Sequence, residues 1–204
     1  MKREEWDRKY ASPDFVWSTE PNRFLVAEAE GLAAGRALDL ACGEGRHAVW
    51  LAQRGWRVTA VEFSEVALAK AEQLARSLGV EVEWVAADLL DYRPPPSAFD
   101  LVVVLYLQLP AEERRLVLEQ AAEAVAPGRI LLVVGHDLSN LTDGYGGPTE
   151  PAVLFTPDDV VREAPGLLVE RAERVRRPVA VDGGVVEAID ALVRLRRPRV
   201  QAPG

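Results

Sequence analysis

The sequence predicts an α/β fold: a doubly wound, mostly parallel sheet of about seven strands that ends in an antiparallel C-terminal hairpin strand. Three observations carry that expectation. From residue 36 onward, short apolar runs alternate with helix-like segments, the rhythm of strands joined by crossover helices. Two of the runs, FDLVVVLYL (99–107) and RILLVVGH (129–136), are apolar almost throughout, as strands covered on both faces are. Near the C terminus, LLVERAERV and VVEAIDALVRL flank Asp182-Gly183-Gly184, a hairpin signal that breaks the rhythm.

Each element has its own signal. Residues 1–35 read as an N-terminal arm or lid, with Asn22 to Glu30 helical. ALDLA (37–41) is the first strand, and Arg46 to Arg54 is a helix closed by Gly55. VTAVE (58–62) is a β-branched second strand. Ser64 then caps a helix from Glu65 to Ser77, with Gly79 as its stop. VEWVA (82–86) is the third strand, followed by the acidic turn ADLLDY and a proline-rich surface connection, RPPPSA (93–98). After the fourth strand, Glu112 to Ala124 is a helix stopped by Pro127-Gly128, and the fifth strand begins at Arg129. Thr156 and Pro157 open a further helix as N-cap and first residue. Residues 36–198 read as one domain without internal repeats. RLRRPRVQAPG reads as a solvated end, with 199–204 a tail whose last residues are disordered.

Composition narrows the function. A net charge of −8 over 204 residues argues against general nucleic-acid binding, which rests on neutralising phosphates. No apolar stretch approaches membrane-spanning length, and MKREEWDRKY lacks the apolar core of a signal peptide. Cys42 is the only cysteine, so neither a disulfide framework nor a cysteine-based zinc cluster is available. The expectation is a cytoplasmic protein with a small-molecule partner, no nucleic acid and no membrane.

The chemistry concentrates in LDLACGEGRHAVWLA (38–52). Gly43-Glu44-Gly45-Arg46-His47-Ala48 satisfies the glycine fingerprint of a dinucleotide site, with Glu62 ending the next strand about 20 residues on. Yet a pyrophosphate would be repelled by Asp39 at the strand end and by Glu44 inside the turn. S-adenosylmethionine carries a sulfonium and an ammonium and no phosphate, so the acids fit it better. In that reading Asp39 serves the ammonium, Glu62 the ribose hydroxyls and Asp88 the adenine amino group. The small Ala41, Gly43 and Gly45 let the backbone approach the ligand. Asp88 as a cap of its own turn remains an even alternative, as does a surface role for Arg46 in place of the methionine carboxylate. His47 reads as a helix-packing residue.

LDLACGEG, VTAVEFS, AADLLDY and FDLVVVLYL resemble the successive cofactor motifs of class I S-adenosylmethionine-dependent methyltransferases, over residues 36–136. That family has a Rossmann-like sheet with a reversed last strand, as the closing hairpin suggests. Within the class, the first motif, the W-x-x-x-Y of Trp6 and Tyr10 and the EPN-x-FL of Glu20 to Leu25 look most like the small tellurite-resistance and thiopurine-type methyltransferases. Ala41 stands where the family usually has its first glycine. The resemblance implies a donor site of Asp39, Ala41, Cys42, Gly43, Gly45, Arg46, Glu62, Phe63, Ala87, Asp88, Leu89 and Leu105. Trp6, Tyr10 and Trp17 would cover it as aromatic faces for a sulfonium.

Methyl transfer is an in-line displacement driven largely by alignment, so a soft acceptor needs no base, whereas a hydroxyl does. The acceptor side is expected at the carboxyl ends of the fourth and fifth strands. There His136 is the candidate base, with Tyr106 beside it, and Gln108, Asp137 and Tyr145 are substrate-binding candidates. The loop 137–155 would cover the acceptor. His136, Asp137 and Asn140 are too weak a set for a metal, and none is expected. Two rivals stay open: a nicotinamide-dependent oxidoreductase on the same turn, and a non-catalytic S-adenosylmethionine-binding protein.

Overall fold

The computed structural model describes residues 3–199; the tail expected over 199–204 lies, from residue 200, outside them. Strand order is β3-β2-β1-β4-β5-β7-β6, a seven-stranded mixed sheet. The chain forms two compact units, residues 1–93 with 98–103 and residues 94–97 with 104–204.

The first unit holds α1 (Arg3–Tyr10), α2 (Arg23–Ala29), β1 (Arg36–Leu40), α3 (Arg46–Gln53), β2 (Arg57–Glu62), α4 (Glu65–Ser77), β3 (Glu83–Ala86) and the start of β4 (Phe99–Leu105). β1, β2 and β3 are parallel, with Asp39 opposite Ala60 and Glu62 opposite Ala86. The predicted caps are in place. The Asn22 side chain accepts from the Phe24 and Leu25 amides, and Ser64 Oγ accepts from Ala67 N. Leu38, Leu40, Leu51, Val61 and Ala71 are buried around these strands, so the apolar periodicity of α3 and α4 faces the sheet.

The second unit holds α5 (Ala111–Ala124), β5 (Val125–His136), α6 (Asn140–Asp143), a 3₁₀ turn (Pro151–Val153), α7 (Pro157–Glu163), β6 (Leu168–Val181) and β7 (Gly184–Arg196). Two boundaries differ from the sequence reading. β5 starts at Val125, before Pro127-Gly128, so α5 passes directly into the strand and the proline lies within its first turn of chain. β6 runs on to Val181 through Pro178, which an outer strand tolerates. β7 pairs antiparallel with both neighbours, and the two-residue turn at Asp182-Gly183 is the predicted hairpin. The segment 137–155 carries α6 and the 3₁₀ turn rather than being irregular throughout. α7 has a full capping box between Thr156 and Asp159. Among the described residues, no helix is long and apolar enough to cross a membrane.

Candidate active site

β1 delivers Asp39 into the first unit's interior with 1% of its surface exposed, and neither carboxylate oxygen finds a hydrogen-bond partner among the described residues. Burial pushes its pKa from the ordinary 3.8 to about 7; the Arg46 charge pulls the other way, and Glu62 adds to the rise. A bare carboxylate held at this depth is costly unless a cation or donor comes to meet it.

The turn after β1 is built on left-handed residues: Ala41 at φ 63°, Gly43 at φ 54° and Gly45 at φ 81°. Ala41 explains why a glycine suits that position, because a β-carbon there is strained by about 1–2 kcal/mol. Gly43 N donates to Glu62 Oε2 (3.0 Å), and Ser64 N donates to Oε1 (3.0 Å). Glu62 is thereby locked between turn and helix cap. A β-carbon on Gly45 would lie 2.6 Å from Ala71 Cβ and 2.8 Å from the Trp84 ring. Gly45 thus leaves no room for a side chain against Ala71 of α4 and Trp84 of β3. Cys42 is buried and its thiol is pushed up by burial, which leaves it inert. His47 is also buried, with its pKa well lowered by the same cause.

Glu44 corrects the sequence reading. It does not face a ligand: its carboxylate accepts from Val16 N (2.9 Å), Trp17 N (3.2 Å) and Lys70 Nζ (2.9 Å). Lys70 also donates to the Asp14 carbonyl (2.7 Å), and Asp7 accepts from Ser64 Oγ. The second acid of the turn is therefore the anchor of the N-terminal arm. Tyr10, the buried residue of α1 within that arm, sets its hydroxyl 3.1 Å from where a Gly43 β-carbon would stand. Trp6 stacks on Tyr10 at 5.5 Å, and Lys9 Nζ sits over the faces of Trp6 (4.6 Å) and Trp17 (4.4 Å).

Asp88 Oδ1 accepts from Leu90 N (3.0 Å), a side-chain turn that shapes ADLLDY. Ala87 N donates to the Glu62 carbonyl, which draws Phe63, Ala87 and Leu89 to the same strand ends. Arg46 Nη1 reaches the Ser18 carbonyl at 3.5 Å. Leu105, at the end of β4, belongs to the second unit.

The acceptor-side candidates all fall in the second unit. Tyr106, at φ 58°, donates from its hydroxyl to Asp190 Oδ2 (2.7 Å). His136 Nδ1 lies 3.3 Å from Asp190 Oδ1. Asp137 is buried, accepts from Ser139 N and Oγ, and pairs with Arg174 Nε at 2.9 Å. Gln108 is half-buried, and Tyr145 is half exposed. Sequence reasoning missed Asp190 and Arg177. Asp190 carried the same signal as Asp39, an acid inside an apolar strand, AIDAL.

The methyltransferase-domain family pattern matches residues 37–128. An uncharacterized methyltransferase of Mycobacterium bovis is 33% identical over 107 residues, 52% of this chain and 53% of that protein. The 2-heptyl-1-hydroxyquinolin-4(1H)-one methyltransferase of Mycobacteroides abscessus is 26% identical over 160 residues, 72% of this chain and 70% of that protein. The chain spans about half the length of the curated relatives it matches first. Among solved structures, the N-methyltransferase NodS of Bradyrhizobium japonicum, in complex with S-adenosyl-L-homocysteine, superposes with a TM-score of 0.72. The superposition covers 97% of this chain and 98% of NodS at 20% identity, a likeness of fold.

Proposed function

We propose, from the methyltransferase domain that residues 37–128 carry, that the protein transfers a methyl group from S-adenosylmethionine to a small-molecule acceptor. The observation that carries the reading is Asp39, a buried carboxylate with both oxygens unpartnered. An ammonium is the group such a carboxylate fits, and a pyrophosphate the group it repels, which disfavours a nicotinamide cofactor. S-adenosylmethionine supplies, when bound, a methyl group activated by a positively charged sulfur. The chain supplies the rest of the donor site. Asp39 receives the ammonium, and the Glu62 carboxylate receives the two ribose hydroxyls. Asp88 serves the adenine amino group, while Cys42, Gly43, Arg46, Phe63, Ala87 and Leu89 complete the lining. Trp6, Tyr10 and Trp17, fastened through Glu44, form its cover. The name of the M. abscessus relative supports a small-molecule acceptor.

The test is calorimetric titration with S-adenosylmethionine, S-adenosylhomocysteine and NADH. Both adenosyl ligands are expected to bind in the micromolar range, and Asp39→Ala and Glu62→Ala to weaken them at least about 100-fold, the loss of a charge-assisted contact in a dry site. Binding of NADH in their place would overturn the reading. Binding of the adenosyl ligands with no turnover across a broad acceptor panel would favour a sensor.

A further inference from the structure

The second unit ends its sheet on β6, which among the described residues pairs with β7 alone. The two-residue turn makes Val181 and Gly184 a hydrogen-bonded pair. Such pairs recur at every second residue of β6 down to Arg171, which stands opposite Arg194. The residues between them, Ala172, Arg174 and Arg176, turn their N–H and C=O groups away from β7. An outer strand that shows such groups is a template for another strand unless something blunts it. Pro178 blunts the turn end, since it has no N–H to offer. A bulge between Val169 and Arg171 ends the regular ladder at the other. The stretch between them is open. Arg171 and Glu173 project from one face of it as an exposed ion pair.

The sequence across this edge is symmetric in charge. In VERAERV (169–175) opposite charges stand at equal distances from Ala172: Arg171 against Glu173, and Glu170 against Arg174. Val169 and Val175 close the pattern. We propose that β6 pairs antiparallel with β6 of a second copy of this chain, about a two-fold axis through Ala172. The two Ala172 residues then exchange their outward hydrogen bonds. Arg171 of each copy lies opposite Glu173 of the other, so four charges alternate in sign around the axis. The ion pair within each chain is solvent-exposed and yields readily to this exchange. Glu170 stays with its own chain, because the bulge gives it to Arg194 (2.8 Å) and Arg196. Arg174 likewise keeps Asp137 at 2.9 Å.

Charge also selects the register. Outward groups meet outward groups only when the axis passes through a residue. An axis through Arg171 or Arg174 sets arginine on arginine, and one through Glu173 sets acid on acid. Like charges directly opposite are destabilising, so Ala172 is the position that the edge favours. A pairing this short makes a small interface and a weak dimer, with a dissociation constant of about 10–100 µM. Association through β6 is independent of the donor-site reading.

Sedimentation velocity of the full chain across that range tests the proposal, with Arg171→Glu and Glu173→Arg as variants. Wild type is expected to pass from monomer to dimer. Each variant alone sets like charges across the axis and is expected to dimerise at least about tenfold more weakly. An equimolar mixture of the two restores opposite charges at both sites, and is expected to dimerise as wild type does. Amide exchange of the wild type needs no variant: the Ala172 amide should slow as concentration rises through the same range. A wild type that stays monomeric at about tenfold higher concentration would overturn the proposal. So would a dimer that both variants leave intact, or a mixture as monomeric as its parts. An Ala172 exchange rate independent of concentration would do the same.

Discussion

Asp39 and Asp190 are both buried acids on apolar strands, one in each unit, and their surroundings drive them in opposite directions. Neither Asp39 oxygen closes a hydrogen bond of good geometry among the described residues, and burial lifts its pKa to about 7 against the pull of Arg46 and the Ala48 amide. Burial works on Asp190 as well, but His136, Arg177 and Tyr106 outweigh it and hold its pKa below the ordinary 3.8. A fold that provides three partners for one buried carboxylate and none for the other has not failed at the second. On the reading proposed above, the partner of Asp39 arrives from outside, whereas Asp190 is held by its own neighbours.

The largest expected effect breaks the comparison at Asp39. An acid whose folded pKa is raised destabilises the fold wherever it must ionise. The penalty is absent well below pH 3.8, grows as pH rises, and is complete above about pH 7. A rise from 3.8 to about 7 corresponds to about 4 kcal/mol at pH 8. Asp39→Asn is therefore expected to be more stable than wild type by about 2–4 kcal/mol at pH 8, with the gap below about 1 kcal/mol at pH 4. Urea titrations at the two pH values measure it. A variant less stable than wild type at pH 8 would show that Asp39 is a structural acid with a partner of its own.

Asp190 should show the reverse. Its folded pKa is depressed, so its contribution is present above the ordinary carboxylate range and is lost as pH falls through the folded value. Asp190→Asn is expected to cost about 3 kcal/mol at pH 7, because Arg177 loses its partner, and less at acid pH. The same urea titrations check it. Loss of stability at pH 7 equal to that of a surface substitution, within about 0.5 kcal/mol, would show that the cluster is not a coupled network.

How much of this was legible in the sequence follows from what each residue depends on. Strands and helices were readable because period, caps and turn residues act locally: Ser64, Thr156 and Asp182-Gly183 do in the structure what their types predict. Asp39 was readable as a buried acid, since its strand neighbours are apolar. Asp190 gave the same signal and was passed over, because its meaning depends on register. Only the pairing of β5 with β7 puts His136 opposite it, 54 positions earlier in the chain. Glu44 was misread for a related reason. Its sequence neighbours are the glycines of the turn, but the groups it holds come from Val16, Trp17 and Lys70, which no local pattern links to it. The arm itself offered aromatic residues and no periodicity strong enough to place them.

Glu44 supplies the smallest effect and sharpens the comparison with a third acid. It is buried like Asp39, yet two backbone amides and a lysine satisfy it. Glu44→Gln keeps the shape and one acceptor oxygen but gives up the charge. The expected cost is about 1–2 kcal/mol, the difference between charge-assisted and neutral hydrogen bonds at a part-buried site. Because the anchored groups lie in residues 14–17, the loss should be local. Amides of that segment should exchange with solvent about tenfold faster, while those of β1 and β2 stay protected. If Tyr10 and the tryptophans form the donor-site cover, the same variant should also weaken S-adenosylhomocysteine several-fold through the loosened arm, and leave the pH dependence set by Asp39 unchanged. Faster exchange without any change in affinity would reduce the arm to a structural tie, and would leave the bare carboxylate as the donor site's principal determinant.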